Sequence, residues 1–550
     1  MPSRAASGRS GTCSRSEAAD AGVAKPMTTS RLALALSLLP LPAACSDAGT
    51  LLPAPDASAD TGLAADARAG EAGEDASADV PVLSAPTLAL LVVSTGSLVP
   101  VFVPTVTDYS VTSLNSLYPV SVTATTTDPG ATLTIHGQAA TSGKPTTFTP
   151  KPRENIQIVV QGASGAPSRY VVHYVPLDMP AYTVSTTPDA GAGTEDVLLT
   201  PASAYALMVD RAGNPLYYRT FPPQVVENLA QVTLPDSTVV YTCGIGTFNP
   251  GGWTLGTAHV MDQHFNDLDD FQLLAHAQHG VLPTDGHDFI LLDHQHYIAL
   301  TYFQRTVDLS MLGPDAGADA GAWSSSAQVM SAIVQEVDSG NVLLEWDSAD
   351  VPSLYADSLF SNSFDSTDVS DYLHINAIDV DPTDGNIVMS FRHTSSIVKI
   401  DRHDAHIIWT FGGKEDQFGL TATQTFSFQH HVRMHPDGSM TVFDNGNQSM
   451  PVQTRALSFV LDQTSKKVTS FEVLYSRPSG QPQTGFMGSA TKLANGDYLY
   501  GWGGWFDSTG MLSKVIAPAA TEISGGAPVW SLTFTTPATF SYRALPITAP

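Results

Sequence analysis

Basic residues are scarce in this chain of 550 residues. It has 25 lysines and arginines against 53 aspartates and glutamates, which gives a formal net charge of −28. A nucleic acid binds to a positively charged surface that neutralises its phosphates, and this composition would repel such a polyanion. We therefore expect no nucleic-acid partner.

Cysteines and charged residues are also few. Cys13, Cys45 and Cys243 are the only cysteines, too few for a framework of disulfide bonds. Charged residues make up 14% of the chain, whereas there are 43 glycines and 38 prolines. Helices with salt-bridged faces need more charge than this, so the composition favours short strands joined by turns.

The N-terminal region has the layout of a secretory signal. The apolar run Leu32–Leu41 is too short to span a bilayer, and it lies between the basic Arg31 and small residues that precede Cys45. The small residues resemble a bacterial lipobox, in which the cysteine is lipidated, although Pro42 stands where that pattern prefers leucine. We interpret residues 1–45 as upstream sequence and signal peptide. We expect export to the periplasm or outer membrane with a lipid anchor at Cys45; cleavage and release is the alternative.

Residues 46–84 consist mainly of Ala, Asp and Gly, with eight acidic residues and one basic residue. Because this segment has almost no large apolar side chains, burial cannot offset the entropy lost on ordering it. We predict a disordered tether here. A similar tract at 313–326 interrupts the later domain and is interpreted as a surface loop insertion.

Short alternating strands begin at Ala85. Runs such as VSVTATTT and IQIVVQG are separated by Gly, Pro and Asp, which predicts a small β-sandwich over 85–178. The residues LVVSTGSLVPVF, DYSVT, ATLTIHG and RYVVHYV resemble the cadherin-like β-sandwich domain of exported bacterial proteins, over about 86–175. That resemblance implies a role in spacing or adhesion.

The chain from 179 to 550 repeats a unit in which a turn with Gly or Asp leads into an alternating strand. Examples are VDSGNVLLEWD, IDRHDAHIIWTFGG, DPTDGNIVMSFR and HPDGSMTVFDNG. Repetition of a four-strand unit roughly every 45 to 65 residues is typical of a β-propeller. We therefore predict an all-β fold, with a small N-terminal β-sandwich followed by a six-bladed β-propeller.

Histidines are concentrated in this second part, where 14 of the 16 lie between His259 and His435. Most are interpreted as ordinary surface or core residues, but four sets stand out by their context. The candidates are His287 in TDGHDFILL, His374 and Asn376 in DYLHINAIDV, Arg392 in SFRHTSSI, and His430 with His431 in FSFQHHVRMHPDG. A spacing of two places His374 and Asn376 on one face of a predicted strand.

These motifs resemble the bacterial arylsulfotransferase family. The matching residues are HDF, then HINAIDVDPTDGNIVMSFR with IVKID and IIWTFGG, then FSFQHH followed by PDGSMTVFDNG. Members of that family are exported six-bladed propellers that transfer a sulfuryl group from one phenol to another and use no nucleotide sulfate donor. The resemblance thus implies a sulfotransferase without cofactor or metal, with an aryl sulfate donor and a phenol acceptor as its small-molecule partners. We also consider that two copies of this protein form a homodimer.

The resemblance assigns a role to each candidate residue. His430 becomes the nucleophile that takes up the sulfuryl group, and His287, His374, Asn376 and Arg392 surround the sulfate oxygens. The family commonly has an acidic residue after the nucleophile, and here His431 stands there, so His431 competes with His430 and the orientation of His430 is left open.

Physical chemistry supports the same roles. A sulfate monoester reacts through a loose transition state with charge on its peripheral oxygens, so the protein supplies positioning and positive donors. Arginine offers a planar fork to two oxygens, and neutral imidazole is a competent nucleophile. An aryl sulfatase-like hydrolase and a non-catalytic surface propeller that binds glycans or proteins are the alternatives.

Two other groups are weighed against simpler interpretations. Asp293, His294 and His296 offer metal ligands, but a DHQH run on one strand without further partners is more often an ordinary strand. Trp502 and Trp505 lie in a Gly-flanked segment and are candidates for an aryl pocket, with Trp502 taken as the substrate-binding residue; blade packing is the alternative.

Overall fold

The computed structural model describes residues 86–94, 98–99, 101–113, 119–150, 155–176, 179–188, 190–213, 215–263, 265–312, 323–360, 362–506 and 516–547. The predicted signal, Cys45 and the predicted tether lie outside the described residues. So does the stretch 313–322 of the predicted loop insertion. None of the described residues forms a helix that is long and apolar enough to cross a membrane.

Nine strands form two sheets among the described residues of the N-terminal part. They are β1 Leu88–Val93, β2 Leu98–Val99, β3 Asp108–Ser113, β4 Val120–Thr126, β5 Thr132–Ile135, β6 Gln138–Ala140, β7 Pro145–Phe148, β8 Ile156–Gln161 and β9 Ser168–Pro176. One sheet has the order β1-β4-β7 and the other β2-β3-β9-β8-β5-β6. In β4 every second residue is buried, as expected for a strand with one face on a core.

The C-terminal part begins with strands of three sheets. They are β10 Tyr182–Thr186, β11 Val197–Pro201, β12 Tyr205–Val209, β13 Pro215–Thr220, β14 Val225–Thr233, β15 Val239–Phe248, β16 Thr254–Asp262, β17 Asp267–Phe271 and β18 Thr284–Asp285. The sheet β14-β15-β16-β17 is complete within this stretch, with β18 paired to β16.

Three four-stranded sheets follow in chain order. Their strands are β19 Phe289–Asp293, β20 His296–Val307, β21 Ala327–Asp338, β22 Asn341–Asp347, β23 Ile375–Val380, β24 Ile387–Phe391, β25 Ser396–Ile400, β26 Ile407–Gly412, β27 His430–Met434, β28 Ser439–Asp444, β29 Arg455–Asp462 and β30 Lys467–Ser476. Each is a meander in sequence order, because short turns join antiparallel neighbours. A 3₁₀ turn, Ser348–Asp350, and the short helix α1, Ser353–Asp357, lie between β22 and β23.

The last strands return to the beginning of this part. They are β31 Gln483–Phe486, β32 Ser489–Lys492, β33 Tyr498–Gly501, β34 Gly504–Phe506, β35 Pro518–Ser524, β36 Ala527–Phe534 and β37 Ser541–Pro546. The orders β10-β36-β35-β33-β32 and β13-β12-β11-β37 show that strands from both ends share two sheets, while β31 and β34 form a separate pair.

These six sheets of four or five strands contact one another as a ring. Contacts run from β11 to β14, β18 to β20, β19 to β23, β23 to β27 and β28 to β32, and β33 contacts β37 to complete the circuit. Apolar clusters fill the spaces between neighbouring sheets; one joins Trp409 and Phe411 to Val442 and Phe459. The predicted all-β fold is confirmed, and its arrangement is typical of propellers.

Candidate functional site

The three histidines at the centre of the prediction lie where innermost strands begin. His287 comes two residues before β19, His374 comes directly before β23, and His430 is the first residue of β27. Innermost strands of a propeller line its axis, so residues at corresponding ends come together although they are distant in sequence. The ring centroids of His287 and His374 are 5.3 Å apart.

His287 is held by Asp285. Its Nδ1 lies 2.5 Å from Asp285 Oδ1, and the same oxygen accepts the backbone N–H of His287 at 3.0 Å. Burial alone would lower the pKa of His287, but the carboxylates of Asp285 and Glu227 outweigh it and raise the pKa above its ordinary value. Nδ1 faces a carboxylate, and Nε2 makes no hydrogen bond with the described residues.

His374, like His287, has an aspartate at its Nδ1, but its pKa is shifted in the opposite direction. Its Nδ1 lies 2.7 Å from Asp371 Oδ2. Burial lowers the pKa of His374 below its ordinary value despite Asp371, and the positive charges of His287 and Arg392 act in the same direction as burial. The backbone φ of His374 is +54°, and β23 has an irregularity at its start. The prediction that His374 shares a strand face with Asn376 is therefore wrong, because His374 lies outside the regular strand.

Arg392 directly follows β24 and lies beside His374. The pairing of Ile375 with Phe391 brings the end of β24 to the start of β23, and the Arg392 N–H donates to the His374 carbonyl at 2.9 Å. Its Nη1 lies 3.1 Å from His393 Nε2, and its Nη2 donates to the Gly485 carbonyl at 3.1 Å. Burial lowers the pKa of Arg392 to about 10, so it remains charged at neutral pH.

One donor of Arg392 is left over. Its Nε is buried and has no hydrogen-bond partner among the described residues. A buried charged donor without a partner is costly, so this atom is suited to an anionic ligand. The guanidinium also lies over the ring of Phe428, 4.6 Å from its centroid.

His430 is oriented by an amide. Asn445 Oδ1 lies 2.7 Å from His430 Nδ1, and Asn445 Nδ2 donates to the Met487 carbonyl at 3.1 Å, which fixes the direction of the amide. Nδ1 of His430 therefore carries the hydrogen, and Nε2 accepts the Met487 N–H at 3.1 Å. Burial and the charge of Arg392 lower the pKa of His430 well below its ordinary value, so the ring is neutral.

His431 has different neighbours from His430. Its Nδ1 accepts the Ala490 N–H at 3.4 Å. Burial lowers its pKa well below the ordinary value, and Arg433 and Arg543 contribute to this shift, whereas Arg392 contributes to that of His430. His431 also has a positive φ of +47°, and the side chains of His430 and His431 have different neighbours. The contacts favour His430 as the member of the cluster.

Asn376 is fully buried beside the cluster. Its Nδ2 donates to the Gln429 carbonyl at 2.7 Å, directly before His430, and its Oδ1 has no partner among the described residues. Its backbone carbonyl accepts Arg543 Nη2 at 3.4 Å. Asp288 pairs with Arg543 at 3.0 Å and with Arg433 at 2.9 Å, which supplies a buried ion network that the sequence interpretation did not include.

Other contributing residues were missed from the sequence. Asp285 and Asp371 stand two and three residues before the histidines that they hold, a signal that was available in TDGH and DYLH. His393 and Asn445 were visible within the quoted motifs, but their roles depend on contacts across 22 and 15 positions. Tyr302 packs against both His287 and His374, and no sequence signal marks it.

The remaining candidate, Trp502, has other hydrogen-bond and ring partners than the histidines and Arg392. Trp502 is 1% exposed; its Nε1 donates to Thr521 Oγ1 at 2.9 Å and Arg477 covers its ring. These contacts are those of a packing residue and give no support to an aryl-binding role.

The DHQH run is not one strand. His294 lies in the turn between β19 and β20 and pairs with Asp236 at 3.0 Å, while His296 begins β20 and pairs with Glu336 at 2.6 Å. The single-strand interpretation is wrong because a tight hairpin places Asp293 opposite His296. Among the described residues, Asp371, His374 and His393 bring three potential metal-ligand atoms within 4.8 Å, but the adjacent Arg392 opposes a cation.

Two family models match this chain. Residues 316–542 match the family described as Arylsulfotransferase (ASST), and residues 83–175 match the Cadherin-like beta sandwich domain. Both resemblances, in this order along the chain, are confirmed for these ranges. The first range includes His374, Arg392 and His430, whereas His287 lies before it. The match supports an arylsulfotransferase-type activity.

Solved structures show distant likeness. A protein of unknown function from Bacteroides caccae is 11% identical, covers 65% of this chain and 100% of its own, and has a TM-score of 0.36. A quinonprotein alcohol dehydrogenase-like protein from Bacteroides thetaiotaomicron is 10% identical over 79% of this chain and 96% of its own, with a TM-score of 0.33. Virginiamycin B lyase from Staphylococcus aureus is 11% identical over 64% and 99%, with a TM-score of 0.27. No curated protein matches the chain significantly.

Proposed function

We propose, from the premise that residues 316–542 match the arylsulfotransferase family, that this protein transfers a sulfuryl group from an aryl sulfate ester to a phenol. The transfer is ping-pong and passes through a sulfohistidine at His430. The observation that carries the proposal is one buried cluster in which Arg392, with its unpartnered Nε, acts on the pKa values of both His374 and His430. A small anion needs this kind of local positive donor in an otherwise acidic protein.

In the first half-reaction, the Nε2 lone pair of His430 attacks sulfur while the bond from sulfur to the aryl oxygen breaks. Arg392 donates to the peripheral oxygens, where charge lies in a loose transition state. Protonated His287 gives its Nε2 proton to the departing aryl oxygen, because its raised pKa keeps that proton available. The new imidazolium keeps its Nδ1 hydrogen, which donates to Asn445.

In the second half-reaction, the oxygen of an acceptor phenol attacks sulfur and the N–S bond breaks, returning its electron pair to His430 Nε2. His374 is neutral and its Nδ1 hydrogen faces Asp371, so its Nε2 can only accept a proton. We assign it as the base that takes the phenol proton and passes it to His287, 5.3 Å away between ring centroids. Environments that move two pKa values apart are a usual basis for acid and base roles.

One contact must change before attack. Nε2 of His430 accepts the Met487 N–H at 3.1 Å, so the lone pair that would attack sulfur is engaged. Met487 has a φ of +62° and lies between β31 and β32. A shift of the ring or of this backbone segment therefore belongs to donor binding in the proposed scheme.

The proposal is tested by following both products. Wild-type protein with 4-nitrophenyl sulfate and phenol should release 4-nitrophenol and form phenyl sulfate in equal amounts, with parallel double-reciprocal plots as the acceptor is varied. His430→Gln should lose at least about 10³-fold in rate, whereas the neighbouring control His431→Gln should retain transfer, because removing a nucleophile costs far more than removing a bystander.

Three results would contradict it. Inorganic sulfate as the sole product, with or without acceptor, would identify a hydrolase. No turnover with any aryl sulfate, together with an intact fold, would favour a binding propeller. Retained transfer in His430→Gln with loss in His431→Gln would move the nucleophile to His431.

A further inference from the structure

His393 connects two groups of the cluster and has no role in the steps above. Its Nδ1 lies 2.7 Å from the backbone carbonyl oxygen of Asp371, and its Nε2 lies 3.1 Å from Arg392 Nη1. The ring is buried, and Phe360 stacks on it with a centroid distance of 3.9 Å.

These two partners fix the protonation of His393. A carbonyl oxygen only accepts, so Nδ1 must carry a hydrogen; a guanidinium only donates, so Nε2 must be bare. The ring is therefore the neutral Nδ1–H tautomer, since an imidazolium would point an N–H at a cation. The low pKa of His393, about 3, agrees with this, and its first cause is burial.

The result is an arginine held at two of its three nitrogens. His393 Nε2 accepts from Nη1 and the Gly485 carbonyl accepts from Nη2, while Nε is the buried donor without a partner. A guanidinium is rigid and planar, so fixing both Nη atoms fixes the direction of the Nε–H bond as well. The donor is thus oriented before any anion arrives.

Asp371 joins this arrangement to the proton-transferring pair. Its side chain holds His374 at Nδ1, and its backbone carbonyl holds His393. One residue therefore sets the position of the base through its carboxylate and that of the anion donor through its main chain. The carboxylate of Asp371 also lies 3.7 Å from His393 Nδ1, but burial outweighs its charge and keeps the pKa of His393 low.

We propose that His393 is a positioning residue that orients Arg392 toward the sulfuryl oxygens by accepting a hydrogen bond from Nη1. This rests on the proposed function for the identity of the anion. His393 exchanges no proton in the reaction, and its function is to supply an acceptor that stays uncharged over the working pH range.

Two substitutions test the contributions of the two ring nitrogens of His393 separately. The amide of His393→Gln reaches the place of Nε2 and keeps an acceptor for Arg392, whereas that of His393→Asn reaches only the place of Nδ1 and keeps the tie to Asp371. We expect His393→Asn to lower kcat/KM for 4-nitrophenyl sulfate by about 10- to 100-fold, the usual loss for a hydrogen bond to a charged group. His393→Gln should stay within about threefold of wild type, as expected if the acceptor alone matters.

Sulfate binding, measured by calorimetry on the full chain, gives a readout that does not need turnover. Inorganic sulfate should bind wild type and His393→Gln with similar affinity and His393→Asn about tenfold more weakly, with unchanged melting temperatures. If wild type binds sulfate with this pattern but transfers nothing, the proposed reaction fails and the role of His393 stands. Equal losses in both variants, no loss in His393→Asn, or wild type that neither turns over nor binds sulfate would overturn the inference.

A measurement on the wild-type protein tests the proposal even if a variant does not fold. With ¹⁵N-labelled histidine, the rings that show a protonated Nδ1 and a bare Nε2 without titrating between pH 5 and 9 should include those of His430 and His393. The His393 signal is the one that should be absent in His393→Gln. A titrating ring or the other tautomer at His393 would contradict the proposal.

Discussion

At the scale of single residues, different surroundings shift the pKa values of His287 and His374 in opposite directions. Each Nδ1 faces an aspartate, at 2.5 Å for His287 and 2.7 Å for His374. Glu227 adds a second negative charge near His287, while Arg392 adds a positive charge near His374. Burial favours the neutral form of both rings: Asp285 and Glu227 outweigh it and raise the pKa of His287, whereas burial prevails over Asp371 and lowers the pKa of His374. These directions suit the acid and base roles proposed above.

The acid role of His287 predicts a dependence on the leaving group. His287→Gln should slow single-turnover release of phenol from phenyl sulfate by about 10² to 10⁴-fold. It should slow release of 4-nitrophenol from its sulfate much less, because 4-nitrophenolate is a stable anion and needs little protonation. Rapid-quench measurement of both esters gives the two ratios.

The pH profile adds a second test of His287. Its proton is required and its pKa lies above 6.5, so the rate with phenyl sulfate should fall as pH rises through that raised value. His430 stays neutral here, since its pKa lies well below 6.5. His287→Gln should lack the alkaline fall. Equal losses for both esters, or an unchanged profile, would remove His287 as the acid.

The motifs pointed to the residues that we propose react, but not to the residues that orient them. His287, His374, Arg392 and His430 are visible as polar residues at the ends of predicted strands, and the structure groups them. Asn445 and Met487 reach His430 from 15 and 57 positions away, so no local pattern reveals them. The resemblance led us to expect an acidic residue after His430, where His431 stands, and it left the orientation of His430 open. In the structure Asn445 Oδ1 lies 2.7 Å from His430 Nδ1 and orients the ring.

At the scale of the elements, a buried lysine connects two neighbouring sheets. Lys399 in β25 donates to Asp381 Oδ2 at 2.6 Å and to Asp384 Oδ2 at 2.7 Å, both in the turn after β23. It also donates to Gln463 Oε1 at 2.9 Å, from the turn after β29 in the next sheet. Lys399 and Asp381 have no exposed side-chain surface, so their charges depend on each other.

Replacing this lysine should destabilise the fold. Lys399→Met leaves the buried Asp381 carboxylate without its cation and should lower the free energy of unfolding by about 3 kcal/mol. The matched control Lys467→Met, at an exposed position of β30, should change it by less than about 0.5 kcal/mol. Denaturant titration of the three proteins measures the difference. Equal stabilities would show that the pair contributes no more than an exposed charge.

Strands were more predictable than the sheets they form. The turn-and-strand motif IDRHDAHIIWTFGG corresponds to the end of β25, a turn and β26, and HPDGSMTVFDNG contains β28. Local alternation and turn residues suffice for such hairpins. The pairings of β10 with β36 and of β11 with β37 join residues over 300 positions apart, which no periodicity encodes.

At the scale of the whole molecule, the ring is completed by both ends of the C-terminal part. β37 pairs with β11, and it also carries Arg543, whose Nη1 donates to Asp288 Oδ1 at 3.0 Å beside the histidine cluster. The strand that completes the first sheet therefore also supplies a charge near the site. Closure of the fold and assembly of the site are thus linked.

The acidic composition of the chain is unfavourable for binding the anionic ester of the proposed reaction. The net charge of −28 opposes an anionic ester at long range, but salt screens that field beyond about 8 Å at physiological ionic strength. Within that distance Arg392 and His287, in the protonated form that we propose, would act directly on the ester. The scarcity of basic residues thus argues against a polyanion-binding surface and is compatible with one small anion in one buried cluster.

The central claim is a covalent sulfuryl group on His430, and mass analysis of the protein after a brief reaction with aryl sulfate alone tests it most directly. Denaturation and digestion should be mildly alkaline, since the N–S bond of sulfohistidine is acid labile. We predict one added SO₃ group, located on His430, that disappears when phenol is supplied before quenching. Turnover with no added mass, or the group on any other residue, would contradict the account.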